Sequence, residues 1–179
     1  MKTRERIIES AIEVIQDEGI ANYSLAKVAK KAGMTKAAIF YHFENKDELT
    51  LSLIHYTIQA YEHILQEEFE KTDEKTNFPF TEAYVNGNLR QLDDKNLVGL
   101  HGALLATVVS GEVGNHEWHD AYAHDFNRLV PEIGADQAEL LRYAIDGMWH
   151  ARILGMPEFE AANRKQVADF LMGIIKQKK

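Results

Sequence analysis

Thr35-Lys36-Ala37-Ala38-Ile39-Phe40-Tyr41-His42-Phe43 is the stretch on which the reading of this chain turns. Ile39 and Phe43 are four residues apart, so a helix places them on one side, where they can anchor it to a core. Lys36, Ala37 and Tyr41 then fall on the opposite side. A helix that enters a DNA major groove needs small or polar residues near its start and a buried flank behind it, and this stretch has both. Immediately upstream, Ser24 to Lys31 predicts a second short helix. Each of the two opens on a hydroxyl residue able to cap free backbone amides, and Ala32-Gly33-Met34 forms the turn between them. The pair reads as a helix-turn-helix, with Val28, Ala29 and Ala32 facing the core beside Ile39 and Phe43.

Working outward, a first helix is expected from Thr3 to Asp17, with Ile7, Ile8, Ala11, Ile12 and Ile15 at helical spacing and Gly19 as its stop. On the other side Asn45 caps a longer fourth helix. Glu48 completes a capping box, and Leu49, Leu53, Ile54, Ile58, Tyr61 and Leu65 form an apolar face that fades near Lys71. Lys46 lies in the first turn of that helix, where exposed amides and the positive dipole end suit a phosphate.

Charge supports this assignment. The chain of 179 residues has a formal net charge of −8, which argues against indiscriminate coating of nucleic acid. From Gly19 to Phe43, however, there is no acidic residue, while Lys27, Lys30, Lys31 and Lys36 all fall there. Through Thr50 the charges balance at eight of each sign, so the acidic excess belongs to the remainder. The absence of cysteine removes disulfides and thiolate metal sites. With no apolar leader near Met1 and no long apolar span, a cytoplasmic location and no membrane partner are expected.

Taken together, Gly19, Ser24, Val28-Ala29, Ala32-Gly33, Ile39-Phe40-Tyr41-His42-Phe43 and Lys46-Asp47-Glu48-Leu49 resemble the TetR-type transcriptional repressors. The resemblance departs at Phe40, where the family commonly has tyrosine, and at Ala38, where it often has a hydroxyl. It implies an all-α chain of about nine helices: a three-helix, homeodomain-like helix-turn-helix domain over 1–46, and a helical ligand-binding and dimerisation domain over 47–179. It implies a double-stranded DNA operator, a small-molecule ligand and a homodimer as partners, with no cofactor and no catalytic activity. DNA backbone contacts are implied for Ser24, Thr35, Tyr41, His42 and Lys46, and base-edge contacts for Lys36, Ala37 and Tyr41. Lys27 and Ala38 complete the expected DNA-binding set. A lysine can read guanine, and alanine methyls can pack on thymine methyls.

Beyond Pro79, helices are expected at about 80–92, 95–111, 116–130, 135–155 and 160–177, broken at Asp93-Asp94, Gly111 to Asn115, Pro131 to Gly134 and Gly155 to Glu158. Ala144, Gly147, Ala151 and Gly155 line one side of the eighth helix. Val167, Phe170, Leu171, Ile174 and Ile175 give the ninth a broad apolar face, and two such helices from each protomer would form a four-helix interface. An ordinary intramolecular core accounts for the same residues. Tyr84, His101, Thr107, Trp118, Tyr122, Phe126, Trp149 and His150 are the candidate ligand-binding residues, because binding cavities are mostly apolar and aromatic with a few polar groups. Glu112 and Asp146 would suit a cationic ligand if they face inward, and are otherwise a solvated surface.

His116, Asp120 and His124 recur at spacings of four and form one stripe of metal-compatible side chains; a solvated face opposite Trp118, Tyr122 and Leu129 explains them equally. His116-Glu117-Trp118-His119 has one residue too few between its histidines for the zincin motif. Two rivals follow: a small helical enzyme or metal-binding protein using the His116–Asp125 cluster, and a helical interaction module that never touches DNA. The first leaves the acid-free, lysine-rich turn motif without a purpose, and binding to the protein's own upstream region separates the second from a repressor.

Overall fold

Gly19 is where the first helix has to stop. Its φ of 78° lies in the left-handed region that side chains resist, and the chain turns there through a single 3-10 turn at Ile20–Asn22. In the computed structural model, which describes residues 3–156 and 161–177, this helix is α1 (Thr3–Glu18). It is followed by α2 (Leu25–Ala32), α3 (Lys36–His42), α4 (Lys46–Glu70), α5 (Pro79–Asp93), α6 (Lys95–Val109), α7 (His116–Ile133), α8 (Ala135–Ile153) and α9 (Ala161–Gln177). Among the described residues there is no strand, and no helix is long and apolar enough to cross a membrane.

The chain divides into two compact units, one of residues 1–58 with 99–117, the other of residues 59–98 with 118–179. This differs from a single cut after residue 46, because α4, α6 and α7 each contribute residues to both.

In the first unit α1 packs on α2, and α2 on α3. Ile7, Ala11, Val28, Ile39, Leu49 and Leu53 are wholly withdrawn from solvent, and Phe43 nearly so. Val14 is buried on α1, whereas Ile12 is only half-buried. Each of these side chains other than Ala11 contributes about 1.5–3 kcal/mol on burial, so the apolar stripe, rather than helix propensity, holds these short helices. Their ends are closed as the residue types predict. Ser24 accepts the Lys27 amide (3.4 Å), and Thr35 accepts the Ala38 amide (3.2 Å). Gly33, at φ 62°, lets its own amide and that of Met34 return to the Lys30 and Ala29 carbonyls. Arg6 adds a bond from Nε to the Ala32 carbonyl (3.1 Å). At the start of α4, Asn45 accepts the Glu48 amide (2.8 Å), while the Glu48 carboxylate reaches back to the Glu44 amide (2.6 Å), one residue further than a standard capping box.

The second unit is built on Leu65, Phe80, Ala83, Tyr84, Leu92, Leu129, Leu141, Ile145, Met148 and Ile175, with α5 against α8 and α9, and α8 against α9. Pro79 occupies the first turn of α5, where its missing N–H costs nothing. No side chain caps that helix locally. Instead Glu132 of α7 accepts the amides of Phe80 (2.9 Å) and Thr81 (2.8 Å) and the Thr81 hydroxyl (2.7 Å).

Pro131 does not break the seventh helix as expected. It lies within α7, which continues to Ile133 and ends at Gly134, φ 80°. The lost amide affects one bond in the final turn, and burial of Leu129 and Ile133 on one side holds that turn in place. The expected break at Gly155 to Glu158 and the expected helix start at 160 lie partly outside the described residues.

Candidate functional site

The outer side of α3 has the composition expected of a groove-reading helix. Thr35, Lys36 and Ala37 are exposed, Ala38 and His42 half-buried, and Tyr41 is 86% exposed. Ile39 and Phe43 are fully buried behind them. Lys36 Nζ rests 5.6 Å from the centre of the Phe40 ring, and the Tyr41 and His42 rings meet edge to face at 5.1 Å. Both contacts limit the freedom of side chains that would otherwise be ordered only on binding.

The lysines of the basic patch are not equivalent. Lys27 pairs with Glu18 at 2.5 Å, and Lys31 with Asp17 at 2.9 Å and Glu13 at 3.1 Å. The hydrogen bond to Asp17 is the largest influence holding the Lys31 ammonium above its usual range. Lys30 and Lys36 make no ion pair among the described residues, so α3 and the middle of α2 carry the available charge. Lys46 sits over the Tyr23 ring at 5.4 Å and 3.4 Å from the Glu112 carboxylate, on the turn after α6. Tyr23 is itself buried, which pushes its phenol up. No hydrogen bond among the described residues reaches its hydroxyl, since the Thr50 hydroxyl donates to the Lys46 carbonyl.

The candidate ligand-binding residues fall into different units. His101 and Thr107 belong to the first. Burial pushes the His101 imidazole down to about 4, so it is neutral at pH 7, and the Thr107 hydroxyl donates to the Leu104 carbonyl. In the second unit, Tyr84, Tyr122, Phe126 and Trp149 lie in one polar-aromatic cluster, which also contains three residues absent from the expected set: Tyr61, Asn88 and Asp125. The Tyr61 hydroxyl donates to Asp125 at 2.6 Å; Trp149 Nε1 donates to the Asn88 side-chain oxygen at 2.9 Å; Asn88 donates to the Tyr84 carbonyl at 2.8 Å; and the Tyr122 hydroxyl donates to Asp146 at 3.3 Å. Desolvation raises the carboxyl groups of Asp125 and Asp146 above their ordinary range and pushes the Tyr122 phenol up to about 12. Trp118 is half-buried at the start of the second unit's share of α7. His150 is exposed on α8, outside the cluster. Glu112 is exposed and engaged with Lys46, whereas Asp146 faces the aromatic groups.

Of the candidate dimer residues, Val167 (42% exposed) and Phe170 (67%) stand open on α9, Leu171 and Ile174 are half-buried, and Gly147 is exposed on α8. Ala144 is half-buried and Ala151 is withdrawn into the unit's own core. Leu140 (55%) and Tyr143 (65%) are the large exposed apolar side chains on α8. A search for small residues passes over them, although with Gly147 they share helical spacing. Among the described residues no three His, Cys, Asp or Glu side chains converge on a metal-binding arrangement, so the His116, Asp120 and His124 stripe forms no such site.

Two family models match the chain. Residues 7–53 match bacterial regulatory proteins of the tetR family, and residues 79–176 match the tetracyclin repressor-like C-terminal domain. The chain is 34% identical over 207 aligned residues to the transcriptional regulator SrpR of Pseudomonas putida, covering 94% of this chain and 95% of that one. The match to TtgR of Pseudomonas putida is local, 38% identical over 63 residues, spanning 35% of this chain and 30% of TtgR. In fold, the chain superimposes with a TM-score of 0.77 on a protein from Saccharomonospora viridis solved in complex with choline, at 19% identity, covering 95% of each chain. Full-length identity to one member, family matches over both halves and an anchored helix with an open basic face agree: the chain belongs to the TetR family of bacterial regulatory proteins, which are DNA-binding transcriptional regulators rather than enzymes.

Proposed function

We propose that the protein is a cytoplasmic homodimeric repressor that holds a near-palindromic operator through two copies of α3 and leaves it when a small molecule binds the helical remainder. The observation that carries this is the asymmetry of α3, whose buried Ile39 and adjoining Phe43 fix it while Lys36, Ala37 and Tyr41 are exposed. Base-edge recognition falls to Lys36 and Ala37. Ser24, Thr35, Tyr41, His42 and Lys46 hold phosphates, assisted by the amides at the start of α4. Dimerisation through α8 and α9 follows from the open apolar side chains Leu140, Tyr143, Val167 and Phe170, which a second copy can cover. It sets the two recognition helices about one duplex turn apart, so that they read successive major grooves.

Release requires only that the ligand prefer a conformer in which that spacing is lost, and its effect is bounded by its differential affinity for the two states. The polar-aromatic cluster of the second unit supports a ligand-binding role, and the choline bound by the Saccharomonospora viridis neighbour shows a small organic molecule on a related fold.

The test is fluorescence anisotropy with fragments of the promoter regions flanking the gene against random duplex. Specific binding should be stoichiometric with two chains per site. Lys36→Ala should lose about 1–3 kcal/mol of discrimination at one base pair per half-site. Equal affinity for every fragment, or a monomer on the operator, refutes the reading.

A further inference from the structure

We propose that the cluster of Asp125 and Asp146 with Tyr61, Tyr84 and Tyr122 is a receptor for an organic cation, and that Arg142 is the protein's own stand-in for that cation when it is absent. The inference rests on the reading of the chain as a ligand-controlled regulator and names the ligand's chemistry.

Asp125 is 6% exposed and has the Tyr61 hydroxyl as its hydrogen-bond donor, with no ion pair among the described residues. A buried carboxylate without an ion-pair partner is costly to desolvate, and an added cation would offset that cost. Asp146 is half-buried, accepts the Tyr122 hydroxyl in an exposed contact and has Arg142 acting on it. Desolvation dominates at both groups, so each has a strong electrostatic incentive to receive positive charge.

Tyr84 supplies an independent sign that the cluster is built around something it does not contain. It is 97% buried, its hydroxyl makes no hydrogen bond among the described residues, and the charged and polar groups acting on it are Asp146, Asp125, Tyr122 and Arg142. A ligand atom would supply the partner that this hydroxyl lacks.

Arg142 shows which ligand chemistry the cluster accepts. Its guanidinium carbon lies 4.8 Å from the centre of the Tyr122 ring and 6.0 Å from that of Phe126. Among the described residues it forms no ion pair with a carboxylate, and its Nε is buried with no hydrogen-bond partner. A weakly hydrated cation therefore already rests on these aromatic faces, held by ring electrostatics and the field of Asp146 rather than by a salt bridge. Arg128 rests on the Phe80 ring at 3.8 Å and, with His124, acts on Asp125 only through its field, without an ion pair among the described residues. An anionic ligand would meet two carboxylates, and a bare metal ion lacks a third ligand among the described residues. A bulky ammonium or delocalised organic cation fits all of these groups.

The test uses the full-length protein with phenyltrimethylammonium and its neutral isostere tert-butylbenzene, read by calorimetry and by Trp149 fluorescence. The cation should bind about tenfold tighter than the isostere, because carboxylate and aromatic-face contacts act only on charge. Asp146→Asn should bring the two within about threefold of each other, with Tyr122→Phe as a milder second variant should the first alter the circular dichroism. Arg142→Gln should tighten cation binding severalfold by removing its competitor. Equal binding of the two compounds, or binding of neither, overturns the cation assignment. A charge preference unchanged in both Asp146→Asn and Asp125→Asn does the same, and Arg142→Gln without effect overturns the stand-in role. Operator binding measured without either compound separates the two levels. Intact operator binding with no cation preference sinks this inference alone, and loss of operator specificity sinks the regulator reading beneath it.

Discussion

Replacing Glu112 with glutamine should strengthen operator binding by way of Lys46. The two side chains meet at 3.4 Å with 52% and 37% of their surfaces exposed, so the pair falls in the class of surface salt bridges worth about 0–1 kcal/mol. A phosphate that recruits Lys46 must first break this contact. Removing the competitor therefore returns at most that amount per protomer, an affinity gain of about two- to fivefold for each half-site at low salt. Lys46→Ala should act in the opposite direction and, with one lysine lost from each protomer, cut the slope of log affinity against log salt by about 1.8, the share of two phosphates. A fourfold rise in salt would then narrow the gap between wild type and Lys46→Ala by about twelvefold. The decisive assay is a double-mutant cycle by anisotropy titration at several salt concentrations, with the exposed Glu74→Gln as control for net charge. If Glu112→Gln still tightens binding in the Lys46→Ala background, or Glu74→Gln tightens it equally, the effect is bulk electrostatics and the competition argument fails.

His101 gives a pH prediction of definite sign. Its folded value of about 4 lies below the 6.5 of the unfolded chain, so the unfolded state binds the extra proton. Stability should be complete above pH 6.5 and fall as pH drops toward 4, by at most about 3 kcal/mol, and His101→Gln should flatten that part of the urea-denaturation profile. The exposed pair Tyr143 and Phe170 should matter to assembly rather than folding. Phe170→Glu should shift sedimentation toward the monomer at micromolar concentration while helical content is kept. Ser24→Ala or Thr35→Ala should each lower stability by about 1 kcal/mol, visible as a reduced midpoint in thermal unfolding.

The recognition half of the molecule was legible in the sequence because its determinants are local. Ser24, Gly33, Thr35 and Asn45 act on backbone groups within a few residues of themselves, and the four-residue spacing of Ile39 and Phe43 sets which side of α3 is open. The cluster was not, because Tyr61 and Asp125 are 64 residues apart and Asn88 and Trp149 are 61 apart, and no periodicity links such pairs. Asp125 was grouped with the histidines of its own helix, although its partner lies on α4. On α8 the small residues Ala144 and Ala151 attracted attention because small side chains permit close packing. In the structure Ala151 packs inside its own unit, and bulk on Leu140 and Tyr143 marks the open side. Pro131 reads as a stop because proline usually is one, but burial of Ile133 in the last turn outweighs a single missing bond.

The pairing of Lys27 with Glu18, and of Lys31 with Asp17 and Glu13, also bears on how the protein moves through a genome. Two ammonium groups already balanced by the first helix release few counterions when they meet an arbitrary duplex, so adhesion to wrong sequences stays shallow and dwell times there stay short. A regulator with such a muted charge face spends its search hopping rather than stuck, and depends on Lys36 and its neighbours finding the right bases before it stays.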